Sequence, residues 1–322
     1  MKKIVNASDV KPNFDNVKQI WKDLLNKYFD TNGNLSSEYI LDVSCPHCFQ
    51  NDFDIEESFL LNGFHHHECK NCNCLYVSPR LKDNCLTEIY SDEYYSEMFQ
   101  KSMIPFFEKR KRLIGEPKYR QILSHMDISS NKDYAVLDVG CGIGEVLDVF
   151  KDQGWDCNAV ELNKVAVKWL KEKGINVFND NFENYHSEKK FDVVMAWNVI
   201  EHVVNPQEFL SKAYSLLKPG GIFISEVPHS ESLLVDFCRR TGADPKRILQ
   251  GEQHIILYSR KAYHALHSKA GFDLIALQTN GLDVSTISSI KDIDIDESSM
   301  IAFQESIDKK LFGDLLRGIW RK

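Results

Sequence analysis

Between residues 136 and 146 the chain reads VLDVGCGIGEV, an apolar run that ends in an aspartate and three glycines at spacing D-x-G-x-G-x-G. No other stretch restricts the fold as much. The run VLDV reads as a buried strand and EVLDVFKDQG, after the glycines, as a helix. Asp138, Gly140, Gly142 and Gly144 therefore fall at a strand-to-helix turn. Glycine there lets the backbone turn tightly and lets a ligand come close to the main chain. The third glycine comes one residue too early for the dinucleotide pattern G-x-G-x-x-G, and a carboxylate beside a pyrophosphate would repel it. An amino-acid-like ligand carrying an ammonium group suits Asp138 better.

The texture around this turn alternates. CNAVEL, INVF, FDVVMAW, IFISEVP and FDLIALQ read as strands, interleaved with KVAVKWLKEKG, PQEFLSKAYSLLKPGG and SRKAYHALHSKAG as helices. That order predicts an α/β fold with a mostly parallel sheet and helices on both faces. NG at 280–281 suits the turn of a final antiparallel hairpin. Five segments are expected: an N-terminal helical segment (1–40), a cysteine-rich module (41–80), a helical linker (81–130), the α/β core (131–290) and a C-terminal helical tail (291–322). The first rests on the apolar rhythm of Val17, Ile20, Trp21, Leu24, Leu25 and Tyr28, and the last on MIAFQESIDKKLFGDLLRGIW. The tail helix is expected to pack on its own domain or on a second copy, as a homodimer.

Acids follow successive strands. Glu161 ends the second strand, where a carboxylate can accept hydrogen bonds from both ribose hydroxyls. Asp180, with Asn181 beside it, follows the third and can read the amino edge of an adenine. LDVGCGIG, AVELN, NDNF, FDVVMAWNVIEHVVNP, LLKPGG and SEVP, in this order and spacing, resemble the class I S-adenosylmethionine-dependent methyltransferases over about residues 115–280. The resemblance implies a Rossmann-like seven-stranded methyltransferase sheet with S-adenosyl-L-methionine across the carboxyl ends of its first strands. By position, Gly140 to Gly144 shape the loop around the methionine moiety, Glu161 holds the ribose, Asp180 or Asn181 the adenine, and Trp197 and Asn198 border the sulfonium.

Of nine cysteines, Cys45, Cys48, Cys69 and Cys72 make C-x2-C-x20-C-x2-C. Two knuckles at that spacing can bring four thiolates to one Zn2+, as in a zinc ribbon. A four-thiolate site has no open position, so the metal is expected to be structural. Cys74 is a spare thiol, and His65 to His67 are expected in a strand or turn. The net charge of −8 disfavours a broad nucleic-acid surface. No apolar run is long enough to span a bilayer, and the first residues carry no apolar stretch behind their lysines. A soluble cytoplasmic protein with no membrane partner is expected.

Methyl transfer needs the acceptor aligned with the methyl and, for a hydroxyl or carbon acid, a base. His254, on a loop before the helix near Ser259, is the leading candidate. His202 after the fourth strand, His229 past the fifth and Glu252 beside His254 compete. Tyr95, in SDEYYSEMF, can lid the cofactor. A zinc ribbon ahead of this core also resembles a branch of the family containing deoxysugar C-methyltransferases and enzymes of bacterial surface-polysaccharide synthesis. The resemblance implies methylation of a small metabolite, a nucleotide- or phosphate-linked sugar, with O-, N- and C-methylation open. The alternative is a ribosomal RNA base methyltransferase that uses the ribbon for recognition.

Overall fold

The structure, a computed structural model, describes residues 18–51, 53, 58–91, 93–129, 133–245 and 247–322. In chain order the strands are β1 (Ile40–Leu41), β2 (Phe59–Leu61), β3 (Phe64–Glu68), β4 (Leu75–Val77), β5 (Arg80–Leu81), β6 (Ala135–Val139), β7 (Asp156–Val160), β8 (Asn176–Phe178), β9 (Phe191–Trp197), β10 (Leu217–Pro228), β11 (Ile256–Leu257), β12 (Asp273–Asn280) and β13 (Leu315–Arg321). Seven form one sheet in the order β12-β13-β10-β9-β6-β7-β8. β6 pairs in parallel with β7 and β9, β7 with β8, and β9 with β10. Every residue of β6 and six of the seven in β9 are buried. Strands covered on both faces read as continuous apolar runs, which is why these two were plain in the sequence.

The end of the chain corrects the expected helical tail. Glu297–Lys309 is a helix, but Leu315–Arg321 is β13, antiparallel between β10 and β12. LLRGIWR is buried at Leu316 through Trp320. A short run buried on both faces cannot be told from a helix by periodicity, and here sheet pairing decides. The expected hairpin turn at 280–281 is replaced by two helices, Asp283–Lys291 and Glu297–Lys309, that stand between β12 and β13. Gly281 is required for close approach: a Cβ there would lie 2.4 Å from the Asp283 carboxylate and 2.7 Å from the Asp314 nitrogen.

The cysteine-rich region is not self-contained. β2, β3 and β4 form a four-stranded sheet whose remaining strand, β11, comes from the α/β part of the chain. Ser259 Oγ also donates to the Cys72 carbonyl, and Ser230 Oγ to that of Asn73. His65 to His67 lie on β3, as expected. The linker is an interrupted helix over 93–123, with π-turns at Phe99–Met103 and Lys111–Gly115. Its Phe99, Met103 and Phe107 pack with Ile143 of the glycine loop. The N-terminal helix is Lys18–Asn26; Val17 lies outside the described residues. Among the described residues no helix is long and apolar enough to cross a membrane.

Candidate functional site

A cavity of about 2000 Å³ opens at the carboxyl ends of β6, β7 and β9 and extends to the helices between β12 and β13. At one end lies the glycine loop. Gly140, Gly142 and Gly144 all have positive φ, +68°, +55° and +74°. A Cβ on Gly140 would meet Val199 at 2.7 Å, whereas one on Gly142 meets nothing nearer than 3.7 Å, so Gly142 faces open space. Asp138 is buried, and its Oδ1 finds no hydrogen-bond partner among the described residues. Burial pushes its carboxyl well above the usual range while Lys118 pulls the other way. Such an orphaned acid beside bare backbone fits the ammonium of an amino-acid-like ligand.

Glu161 stands immediately after β7. Its carboxylate accepts from the Gly142 and Asn163 N–H groups, each at 2.8 Å. Burial raises it, and these two donors hold the raise in check. Asp180 accepts from the Asn181 N–H at 2.7 Å and from the Asn184 amide, and Asp180 and Asn181 both line the cavity. Trp197 and Asn198 line it too. Asn198 has φ +54°, uncommon for a residue with a side chain. Lys118 Nζ sits 3.7 Å over the Trp197 ring and pairs with Glu226 at 3.2 Å, and Arg317 reaches Glu226 from the other side. Burial alone would raise Glu226; Arg317 and Lys118 hold it down to about 2. Sequence reasoning missed this cluster because its members lie on the linker helix, β10 and the misread β13.

The other end is built around His202 and His254, with ring centroids 4.8 Å apart. His202 follows β9 on a short turn; His254 precedes β11. His254 Nδ1 donates to the Ile248 carbonyl at 2.7 Å. His202 Nδ1 donates to the Gln253 carbonyl at 3.0 Å and meets the Tyr90 hydroxyl at 2.6 Å. Burial lowers His254 to about 4; burial and the neighbouring His254 lower His202 to about 3. Both rings are therefore neutral at pH 7. Tyr95 lines the same wall with its hydroxyl on the Gln253 side chain. Glu201, fully buried between β9 and His202, also lines the cavity; the sequence reading passed over it.

Two candidates fall elsewhere. His229 is fully buried, with Nδ1 on the Gly313 carbonyl at 3.0 Å and Nε2 3.6 Å from Glu231, and it does not line the cavity. It ties the end of β10 to the segment leading into β13. Glu252 is buried, raised to about 7 by burial, and turned toward Trp21 of the N-terminal helix. It too is absent from the cavity wall, because successive residues of the 250–254 turn point in different directions.

The four cysteines converge. Cys45 and Cys72 sulfurs are 3.6 Å apart, Cys48 and Cys69 sulfurs 3.5 Å, and one sulfur from each lies within 4.8 Å of all the others. Disulfide sulfurs would be about 2 Å apart. Tetrahedral Zn–S bonds of about 2.3 Å put sulfurs about 3.8 Å apart, close to this spacing. The two knuckles match locally: Phe49 and Asn73, each one residue after its second cysteine, have φ +60° and +57°. Their N–H groups donate back to the Cys45 and Cys69 carbonyls at 2.8 and 2.7 Å. The donor set fits a zinc ion.

A family model described as a methyltransferase domain matches residues 106–277, more than half of the chain. The chain belongs to this family. Membership supports S-adenosylmethionine as the cofactor. The ubiquinone biosynthesis O-methyltransferase of Rickettsia canadensis is 36% identical over 110 residues, covering 32% of this chain and 46% of that protein. The protein of the same name in Rickettsia felis is 34% identical over 110 residues, covering 32% and 44%. The chain thus spans less than half the length of these curated relatives. Their names point to ubiquinone biosynthesis, not to the sugar chemistry that the sequence resemblance implied. Among solved structures, a SAM-dependent methyltransferase from Archaeoglobus fulgidus aligns at TM-score 0.45 and 23% identity, over 68% of this chain and 99% of that one.

Proposed function

We propose that the protein transfers the methyl group of S-adenosylmethionine to a hydroxyl of a small, sugar-like acceptor, with a structural zinc ion on Cys45, Cys48, Cys69 and Cys72. The carrying observation is the division of the cavity: an orphaned aspartate and bare glycine loop at one end, two neutral imidazoles at the other. In this reading Asp138 takes the cofactor's ammonium, Glu161 its ribose, and Asp180 and Asn181 its adenine. The acceptor oxygen attacks the methyl carbon, the C–S bond breaks with its electron pair going to sulfur, and the hydroxyl proton leaves at the His202–His254 end. Gln278, Asn280, Ser285, Thr286, Ser289 and Gln304 line the wall beyond. The hydroxyls and amides of Gln278, Asn280, Thr286 and Ser289 offer hydrogen bonds to a polyhydroxy acceptor such as a nucleotide-linked sugar, beside the apolar Leu282, Ile290, Met300 and Ile301.

A phenolic acceptor is the second reading, favoured by the names of the Rickettsia relatives. The net charge of −8 weighs against an RNA acceptor. Calorimetry of the zinc-loaded protein should show S-adenosylmethionine binding. Mass spectrometry across sugar nucleotides, catechols and ribosomal RNA should then show a gain of one methyl on a sugar nucleotide. Failure to bind the cofactor overturns the enzyme reading; methylation of catechols alone overturns the sugar.

A further inference from the structure

We infer that Glu201, His202 and His254 form a second metal site, for a divalent transition-metal cation, open toward the acceptor. The inference deepens the proposed reaction and rests on the reading that the acceptor is methylated at this end of the cavity.

One ligand atom from each of the three residues lies within 4.8 Å of the other two. His254 uses Nδ1–H on the Ile248 carbonyl, which leaves its Nε2 as a lone-pair donor, and His202 is held from its Nδ1 side, 3.0 Å from the Gln253 carbonyl and 2.6 Å from the Tyr90 hydroxyl. His202 Nε2 is 3.8 Å from a Glu201 oxygen. Glu201 is fully buried, and neither of its carboxylate oxygens has a hydrogen-bond partner among the described residues. Leaving such a group without compensation costs several kcal/mol, so it is either protonated or faces a cation. Among the described residues no lysine or arginine pairs with it, in contrast to Glu226 on β10, which pairs with Lys118 and Arg317.

Two imidazoles and one carboxylate are a donor set for a first-row divalent cation, and they leave coordination positions free. Ligand atoms around an ion at about 2.1 Å stand about 3.4 Å apart, so the present spacing closes by small side-chain rotations. All three residues line the cavity, next to Asn198. An acceptor hydroxyl reaching a free position would have its pKa lowered, so that its proton passes to water and its oxygen pair attacks the methyl carbon. This gives His254 a ligand's role in removing the proton and favours acceptors with a second oxygen donor next to the methylated hydroxyl.

The test starts from zinc-loaded, full-length protein dialysed in turn against Co2+ and Mn2+, followed by elemental analysis. The expected wild-type result is one zinc and one further ion per chain. Glu201→Gln and His254→Ala should each lose the further ion, keep the zinc and bind S-adenosylmethionine within about twofold of wild type, which also reports that they are folded. His254→Ala should lower turnover at least about 100-fold. Retention of neither Co2+ nor Mn2+ by wild type, or retention of the further ion by both variants, overturns the site. Methylation by protein that holds one zinc ion and no further metal of any kind defeats the site and leaves the proposed function standing. A second ion without methylation of any acceptor does the reverse.

Discussion

Two clusters of ligand-bearing side chains differ in how they are closed. Cys45, Cys48, Cys69 and Cys72 surround a point from all four sides and come from two copies of one local turn. Glu201, His202 and His254 supply three ligand atoms rather than four, and all three residues line the cavity. The first geometry holds chain to chain; the second leaves room for chemistry. The difference also lies in sequence distance: each knuckle is four residues long, whereas His202 and His254 meet only because the turn after β9 and the loop before β11 are folded against one another. The Ile255 N–H donates to the Glu201 carbonyl at 3.0 Å and makes that contact.

The sharpest break in this comparison is Cys69→Ala. It should expel the zinc ion and cost on the order of 5 kcal/mol, since structural zinc binding is folding free energy. Metal content and urea unfolding check it, and a variant that kept its zinc would dissolve the contrast. Next comes Glu226→Gln, the buried glutamate that does have cations beside it. It should cost about 3–5 kcal/mol at pH 7 by stranding Lys118 and Arg317. Because the folded-state pKa of Glu226 lies below its unfolded value, its contribution is full above about pH 4.5 and lost as pH falls toward about 2. The stability gap between wild type and variant should therefore close over that window, and a constant gap would refute the ion-pair account. The smallest effect is expected from Ser259→Ala. Ser259 caps the helix Arg260–Lys269 through the Ala262 N–H and bonds the Cys72 carbonyl. Its loss should cost about 1 kcal/mol with zinc retained; an unchanged melting temperature would show that the ribbon and the loop of His254 are not coupled there.

What the chain disclosed in advance was whatever depends on neighbours in sequence. The glycines sit where D-x-G-x-G-x-G put them, at positive φ, and the C-x-x-C pairs meet. Glu161 stands at the end of β7 as its spacing required. What stayed hidden depends on distant pairing. β13 passed for a helix because a doubly buried run has no period to read. Glu252 and His229 stayed in competition behind His254 because the direction of a side chain on a tight turn is set by what packs behind it. Glu201 carried no signal at all: a Glu-His dipeptide after a strand looks the same whether its carboxylate faces solvent, a lysine or an empty corner.

The strand β11 has a consequence for how the protein is made. The four cysteines leave the ribosome long before residues 256–257, so a newly made chain would take up the proposed zinc ion while the sheet around its knuckles still lacks a strand. That early-formed edge is then a template awaiting the loop that bears His254. Chains synthesised under zinc starvation would assemble the glycine loop and its sheet, yet deliver His254 to no fixed place. Metal supply during synthesis, rather than during turnover, would decide how many finished copies can receive an acceptor.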